Sequence, residues 1–188
     1  MYLNKINPYS IAKQHNRMKM HILERINVLF DPGTFVEYYP AEEDTNQTGY
    51  DGVITGYGNI FGQRVYFYGQ DFTCMGGTFG YQHSQQMIAI IEEAIRQKKP
   101  LIAIYDGGGA RIQEGAASVA GCGELFRMNA LASGYIPQIS IIAGTCAGGA
   151  VYSPGLTDFV FTIDDISNMF VTGAKVINEV QGTDYLIE

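Results

Sequence analysis

The sequence predicts an α/β fold built around a parallel sheet, and three observations carry that prediction. From residue 82 onward, segments with helical apolar periodicity alternate with short apolar runs. Two of these runs, 101–105 and 138–143, are apolar on both faces, which is typical of strands covered by helices on both sides of a sheet. Each run ends in glycine, which favours a tight turn into the next helix.

The segments before residue 82 predict a helical arm followed by a hairpin. Residues 9–30 favour one helix, which Asp31-Pro32-Gly33 would end. The acidic, turn-rich stretch 36–48 predicts a loop. Residues 52–60 and 63–70 alternate in polarity, and only Phe61-Gly62 separates them, so they predict a β-hairpin.

The remaining elements follow from the same patterns. Helices are predicted over 82–98, 114–133 and 173–180, with a shorter one after Ala150, and strands near 158–162 and 168–171. A chain of 188 residues suits one domain. We therefore expect a single domain over 1–188, with 1–33 as an N-terminal helical arm and 50–188 as the core.

Composition narrows the classes of function. A net charge of -7 argues against nucleic acid as a partner, because phosphate binding needs a basic face. The charged share is only 16%, so we expect a partner to cover part of the surface. The three cysteines lack the spacing of metal ligands, and we predict that they are reduced. A polar opening segment, and apolar runs shorter than a membrane span, predict no membrane insertion and a cytoplasmic protein.

Two glycine-rich turns are the strongest candidate for chemistry. Residues 104–110 and 141–150 each place glycines between a buried strand and a helix. Ligands of open α/β sheets bind beyond the carboxyl ends of strands, where free N–H groups could converge on a developing oxyanion. Spacing alone slightly favours a plainer interpretation, in which the glycines only permit tight turns and close packing.

Charged residues near these turns have competing interpretations. Arg111 could bind a phosphate or a carboxylate, and a structurally paired arginine is equally compatible with the pattern. For Glu114 and Glu124 an ion pair or a helix-start charge is preferred. The cations of the arm could meet the phosphates of a nucleotide, but a solvated helix face is the preferred interpretation: Lys13, Arg17, Lys19 and Arg25.

Histidines and serines add no convincing site. The histidines lack acidic or cysteine partners at ligand spacing, so we predict structural or surface roles and no metal site for His15, His21 and His83. Ser84 and Ser153 lack the pattern of an activated nucleophile.

Longer motifs resemble a known family. The runs GGARIQEG at 108–115 and CAGGAVYSP at 146–154 are the most specific, and shorter matches at 24–37, 51–58, 70–73, 156–159 and 170–173 keep the same order. Together they resemble the carboxyltransferase subunits of biotin-dependent acyl-CoA carboxylases, transcarboxylases and sodium-pump decarboxylases. The resemblance runs from about residue 22 to the end of the sequence.

The resemblance implies a crotonase-like fold, a superhelix of ββα units, and transfer of a carboxyl group between carboxybiotin and the α-carbon of an acyl-CoA. It implies an oxyanion hole made by the backbone N–H groups of Ala110 and Gly149. It further implies substrate binding by the turn residues Gly108, Gly109, Arg111 and Gly148. Biotin would be carried by a partner protein and would act as the base, so no catalytic carboxylate is required. A homo-oligomer or a carboxylase or decarboxylase complex is expected.

Length is the main departure from the family. The sequence ends within a segment that members continue, so the resemblance implies an incomplete domain that supplies the acyl-CoA half and is inactive without a second domain or subunit. Two alternatives stay open: a non-catalytic scaffold or assembly subunit of such a complex, and, less favoured, a crotonase-type hydratase or isomerase using Glu124. The acyl chain and the direction of transfer stay open as well.

Overall fold

A computed structural model describes residues 8–38 and 50–182. Two short helices come first among the described residues, and the strands of one sheet follow with the other helices among them. The helices are α1 (Pro8–His15), α2 (Ile22–Leu29), α3 (Tyr81–Gln97), α4 (Ala116–Ala132), α5 (Tyr152–Gly155) and α6 (Ala174–Gln181). The strands are β1 (Val36–Glu37), β2 (Val53–Ile60), β3 (Gln63–Gln70), β4 (Leu101–Gly107), β5 (Gln138–Ala147), β6 (Phe159–Thr162) and β7 (Asn168–Phe170).

The sheet has the order β1-β2-β3-β4-β5-β6, and β7 pairs with the end of β5. Strands β1, β2 and β3 pair antiparallel, whereas every pairing from β3 onward is parallel. The predicted hairpin is confirmed, with Phe61 and Gly62 both at positive φ as a two-residue hairpin turn requires. The predicted parallel sheet is therefore confirmed for the central and C-terminal strands.

Each face of the sheet is covered by helices. Helices α3 and α4 pack against one face and bury a core that includes Met87, Ile91, Leu125 and Tyr105. Helix α2 covers the other face, where its apolar side chains pack on Phe67, Ile102 and Ile104. Burial of apolar side chains on both faces explains why the central strands read as continuous apolar runs.

The prediction of one helix over 9–30 is wrong. The structure has two helices, and residues 16–21 turn between them with Met18 at a positive φ of 56°. Helix α2 restarts with its own cap, because the Nδ1 atom of His21 accepts from the Leu23 amide and Glu24 accepts from the His21 amide. The periodicity of the apolar residues continues across the break, which is why the sequence suggested one helix.

The predicted loop over 36–48 is wrong at its start. Val36 and Glu37 form strand β1 and pair with Tyr57 and Gly56. Residues 39–48 of that loop lie outside the described residues. Elsewhere the predicted helices and strands are confirmed with shifts of their ends, the largest at β5, which was predicted to end at 143 and continues through Gly144 to Ala147. The division into an arm over 1–33 and a core over 50–188 stays a prediction.

Candidate functional site

The two glycine turns lie side by side at the ends of β4 and β5. Gly107 at the end of β4 pairs with Cys146 of β5. Gly109 has a φ of +88°, and a Cβ atom on it would stand 2.6 Å from the Ala147 carbonyl oxygen. Only glycine allows both this conformation and this approach. The first turn is therefore packed directly against the start of the second.

The backbone N–H of Ala110 is free to bind a ligand. Phe79 lies against Ala110 as a parallel bridge, in which the Phe79 amide donates to Gly109 O at 2.8 Å and the Arg111 amide donates to Phe79 O at 2.7 Å. The Ala110 N–H between them points the other way. Among residues 8–38 and 50–182 it has no hydrogen-bond partner.

The N–H of Gly149 also lacks a hydrogen-bond partner among the described residues, for a different reason. A short 3-10 helix, Gly148–Val151, follows β5 with Ala147 as its N-cap, so the amides of Gly148 and Gly149 precede its first internal hydrogen bond. Gly148 makes the turn at a φ of +58°. A Cβ atom on Gly149 would meet only Cys122 Sγ, at 3.7 Å, so an alanine side chain would fit at this position.

A buried hydrogen-bond chain anchors the helical segment that follows Gly149. Tyr68 and Tyr105 join their hydroxyls at 2.6 Å, and the Tyr105 hydroxyl lies 2.7 Å from Ser153 Oγ. Ser153 in turn donates to Asn129 Oδ1 at 2.7 Å. Burial raises the pKa of both tyrosines, so they stay neutral. Ser153 is therefore an anchor for the second turn, in agreement with its lack of a nucleophile pattern.

Arg111 is buried and bound to protein groups. Its Nη1 donates to Asp51 Oδ1 at 2.6 Å and to Glu114 Oε1 at 2.7 Å, and its Nη2 donates to Thr78 O at 3.0 Å. Glu114 also accepts from the Tyr81 amide, which caps α3 and, together with Arg111, lowers the pKa of Glu114. The geometry favours the structurally paired interpretation of Arg111. A contact with substrate stays a prediction.

The glycines predicted to bind substrate have mixed surroundings. Gly108 is exposed, but its N–H donates to Gly76 O at 3.1 Å. Gly109 and Gly148 form the contact between the two turns, as described above. The structure thus brings Gly108, Gly109, Ala110, Gly148 and Gly149 to one place, and their roles toward substrate stay predictions.

The interpretation of Lys19 and Arg25 as a solvated face is wrong. Lys19 Nζ lies 2.6 Å from Asp106 Oδ1, and Arg25 Nη2 lies 3.0 Å from Asp106 Oδ2, with all three side chains buried. Arg25 also donates to Ala143 O at 2.7 Å. Lys19 and Arg25 are separated from Asp106 by 87 and 81 residues along the chain, so no local sequence pattern could indicate these pairs. Sequence reasoning missed Asp106 altogether.

The histidines have the structural or surface roles that were predicted. His83 is fully buried with Nδ1 at 2.7 Å from Asp51 O, and burial lowers the pKa of His83 to about 4. His21 caps α2, and His15 is exposed beside Glu24. Within the described ranges no three His, Cys, Asp or Glu side chains are grouped so that they could hold a metal ion.

Comparison with known proteins decides the family. The carboxyl transferase domain family matches residues 13–188. The chain belongs to this family. Among curated members, the propionyl-CoA carboxylase beta chain of Cereibacter sphaeroides is 46% identical over 179 residues, covering 90% of this chain and 35% of that protein. The human mitochondrial propionyl-CoA carboxylase beta chain is 46% identical over 184 residues, covering 93% of this chain and 34% of the human protein.

Solved structures of carboxyl transferase family members give the fold. A crystal structure of transcarboxylase 12S, described as a hexamer assembly with methylmalonyl-coenzyme A and methylmalonic acid bound, superposes with a TM-score of 0.87 at 42% identity. The superposition covers 95% of this chain and 36% of the transcarboxylase chain. The geranyl-CoA carboxylase beta subunit of P. aeruginosa gives a TM-score of 0.75 at 27% identity, and the match covers 86% of this chain and 32% of that subunit. The predicted crotonase-like fold is confirmed.

The carboxyl transferase domain in this chain spans about a third of the length of the curated relatives that it matches. In the part of the chain that the structure describes, none of the helices combines the length and the apolar character needed to cross a membrane.

Proposed function

We propose that this chain binds an acyl-CoA and holds its thioester carbonyl oxygen on the N–H groups of Ala110 and Gly149. The single observation that supports this most is the contact between the two turns at Gly109, which brings two amides without a partner in the described part of the chain to the ends of neighbouring strands. The proposed reaction is transfer of a carboxyl group between carboxybiotin and the α-carbon of the acyl-CoA. The relatives named above, which are propionyl-CoA carboxylase beta chains and a transcarboxylase, support that reaction.

The amides stabilise the charge that this reaction creates. Loss of the α-proton moves an electron pair onto the thioester oxygen, and the resulting enolate carbon then forms the new bond to the carboxyl carbon. Two preorganised N–H donors aimed at that oxygen lower the barrier, and each donor of this kind contributes about 2.7–4 kcal/mol in other enzymes. The donors are backbone groups held by packed turns, so they need no reorganisation during the reaction.

Biotin carried by a partner protein would supply the carboxyl carbon, released by cleavage of its bond to the biotin ring nitrogen, and that nitrogen would then be the base that takes the α-proton. Ile112 and Tyr152, which follow the two turns closely in the chain, are both more than half exposed, so this surface fits an apposed apolar partner. The acidic side chains nearest the first turn already bind protein groups: Asp51 and Glu114 bind Arg111, and Asp106 binds Lys19 and Arg25. A base from outside this chain suits that arrangement.

We further place the chain in the cytoplasm, as part of a homo-oligomer or of a carboxylase or decarboxylase complex. The three cysteines are free in the structure, which suits a reducing compartment. The transcarboxylase 12S structure named above, a hexamer assembly, supports an assembly.

Calorimetric titration tests the proposal. We expect heat from propionyl-CoA, and weaker binding of CoA without an acyl group. Gly149→Pro removes one donor and should weaken binding of propionyl-CoA about tenfold relative to CoA. Gly149→Ala is the matched control, because it keeps the N–H and its Cβ has room, so its affinity should stay within twofold of wild type.

Two results would count against this function. The first is an absence of heat with acetyl-, propionyl- and malonyl-CoA from a chain whose circular dichroism shows it to be folded. That result would favour the scaffold alternative. The second is turnover of crotonyl-CoA, which would favour the hydratase alternative. We expect no such turnover, because the Glu124 carboxylate accepts a hydrogen bond from Gln85 at 2.5 Å rather than standing free.

A further inference from the structure

We propose that Asp106 is a positioning residue for the two amides. Held between Lys19 and Arg25 of the helical arm, it fixes the end of β4 against the end of β5 and thereby aims the Ala110 and Gly149 N–H groups. This inference rests on the proposed function and extends it to a part of the chain, the arm, that makes no contact with the acyl group in that proposal.

Both carboxylate oxygens of Asp106 are bound by the arm. Oδ1 lies 2.6 Å from Lys19 Nζ and Oδ2 lies 3.0 Å from Arg25 Nη2, and the Asp106 side chain is only 2% exposed. The backbone is held as well, since the Asp106 N–H donates to Gln70 Oε1 at 3.0 Å. Asp106 therefore has one orientation, set by groups from the arm and from β3.

Asp106 reaches both turns from this position. In the chain it immediately precedes Gly107, so it defines how the first turn leaves β4. Its carboxylate also lies against β5, because a Cβ atom on Gly144 would stand 2.1 Å from Asp106 Oδ1. Arg25 completes the link by donating to Ala143 O at 2.7 Å. One buried cluster thus connects the strands that carry Ala110 and Gly149.

Stability alone explains this cluster poorly. A buried ion pair is often no more stabilising than apolar side chains of the same volume, because the charges lose their hydration. Here two cations share one carboxylate, and burial lowers the pKa of Lys19 while the hydrogen bond to Asp106 opposes that shift. Such a costly arrangement directly beneath two turns that bear free amides is better explained by the orientation it imposes.

The test compares two methionine variants of the full chain. Lys19→Met removes the cation from Oδ1 and leaves the Arg25–Asp106 pair neutral overall. Arg17→Met is the matched control, because Arg17 and Lys19 both lie over the Phe72 ring, at 5.2 and 4.1 Å, but only Lys19 binds Asp106. The probes are CoA and a CoA thioether that ends in a nitronate, a group with the charge and shape of the enolate.

We expect Lys19→Met to weaken binding of the nitronate at least tenfold and of CoA less than twofold. Arg17→Met should leave the ratio of the nitronate affinity to the CoA affinity unchanged. Lys19→Arg should restore that ratio to within threefold of the wild-type value. An equal loss for both ligands, or no loss in a folded variant, would overturn the positioning role. A wild-type chain that binds neither ligand would instead overturn the proposed function.

Hydrogen exchange in the wild-type chain keeps the inference testable if Lys19→Met does not fold. Nitronate bound at the turns should slow exchange of the amides of residues 19–25 at least threefold, whereas CoA should not. Equal exchange rates with and without nitronate would contradict the coupling between the arm and the turns.

Discussion

Single residues in this molecule fix where neighbouring backbone and side chains can lie. Gly109 lets one turn contact Ala147, and Gly144 leaves room for the Asp106 carboxylate. Both glycines belong to clusters that the sequence already marked as unusual. The turn that contains Gly109 was predictable because strand, glycine and helix follow each other locally along the chain. Gly144 was predicted to end a strand but lies within β5, and the second turn begins only after Ala147.

Buried side chains at this scale also set how stability depends on pH. Burial lowers the pKa of His83 to about 4, whereas an unfolded histidine has a pKa of roughly 6.5. Between those values the unfolded chain binds a proton that the native chain does not. His83 therefore lowers the free energy of unfolding as the pH falls through this window, by up to about 1.4 kcal/mol per pH unit, and has no such effect above it.

His83→Asn removes this titration, so its urea midpoint should fall less steeply between pH 6.5 and 4 than that of the wild type. The comparison uses the slope and is independent of any constant loss of stability. Parallel plots of urea midpoint against pH for the two proteins would show that His83 does not cause the pH dependence of stability.

At the scale of elements, α2 joins the arm to the sheet. Ile22 and Ile26 of α2, and Phe30 directly after it, are buried on the face opposite α3 and α4. The strands are shaped to receive them, since Cβ atoms on Gly69 and Gly58 would stand 2.4 Å from Ile22 and 2.6 Å from Phe30. Helix α2 is therefore part of the packed core.

Truncation of one side chain tests this packing. Ile26 is 3% exposed, so Ile26→Ala should lower the free energy of unfolding by about 2–5 kcal/mol through lost burial and a cavity. Val28 in the same helix is 74% exposed, and Val28→Ala should change it by less than about 0.5 kcal/mol. Urea denaturation measures both, and similar losses for the two variants would contradict the assignment of the buried face.

Elements were predictable where the signal is local. Two-sided apolar runs gave β4 and β5, and the two-residue separation gave the hairpin of β2 and β3. The break between α1 and α2 was not predictable from periodicity, because the apolar stripe continues through it. The burial of Lys19 and Arg25 was not predictable either, since their partner Asp106 is more than 80 residues away and only the folded sheet brings them together.

At the scale of the whole molecule, the C-terminal side of the sheet presents an apolar surface. All four residues of β6 are exposed, with Phe159 at 58% and Phe161 at 56%. Exposed apolar strands at the end of a sheet favour association. The low charged share of the sequence predicted a covered surface, but it could not say where that surface lies.

We therefore expect the chain to associate through β6 at high concentration. Light scattering should give a mass that rises above 20.7 kDa with concentration, and Phe161→Lys should suppress that rise. Phe61→Lys is the control, because Phe61 is 94% exposed but lies alone at the hairpin turn. A mass that stays at the monomer value, or an equal effect of both variants, would contradict this role for β6.

The proposed oxyanion site depends on all three scales: free amides at single residues, turns placed by neighbouring strands, and a cluster that connects the arm to both. Isotope-edited infrared spectroscopy of bound propionyl-CoA, labelled at the thioester carbonyl carbon, tests it most directly. Two hydrogen bonds should shift the carbonyl stretch below that of the free ligand, with a smaller shift in Gly149→Pro and the full shift in Gly149→Ala. A bound ligand whose carbonyl absorbs where the free ligand does would contradict the assignment of Ala110 and Gly149.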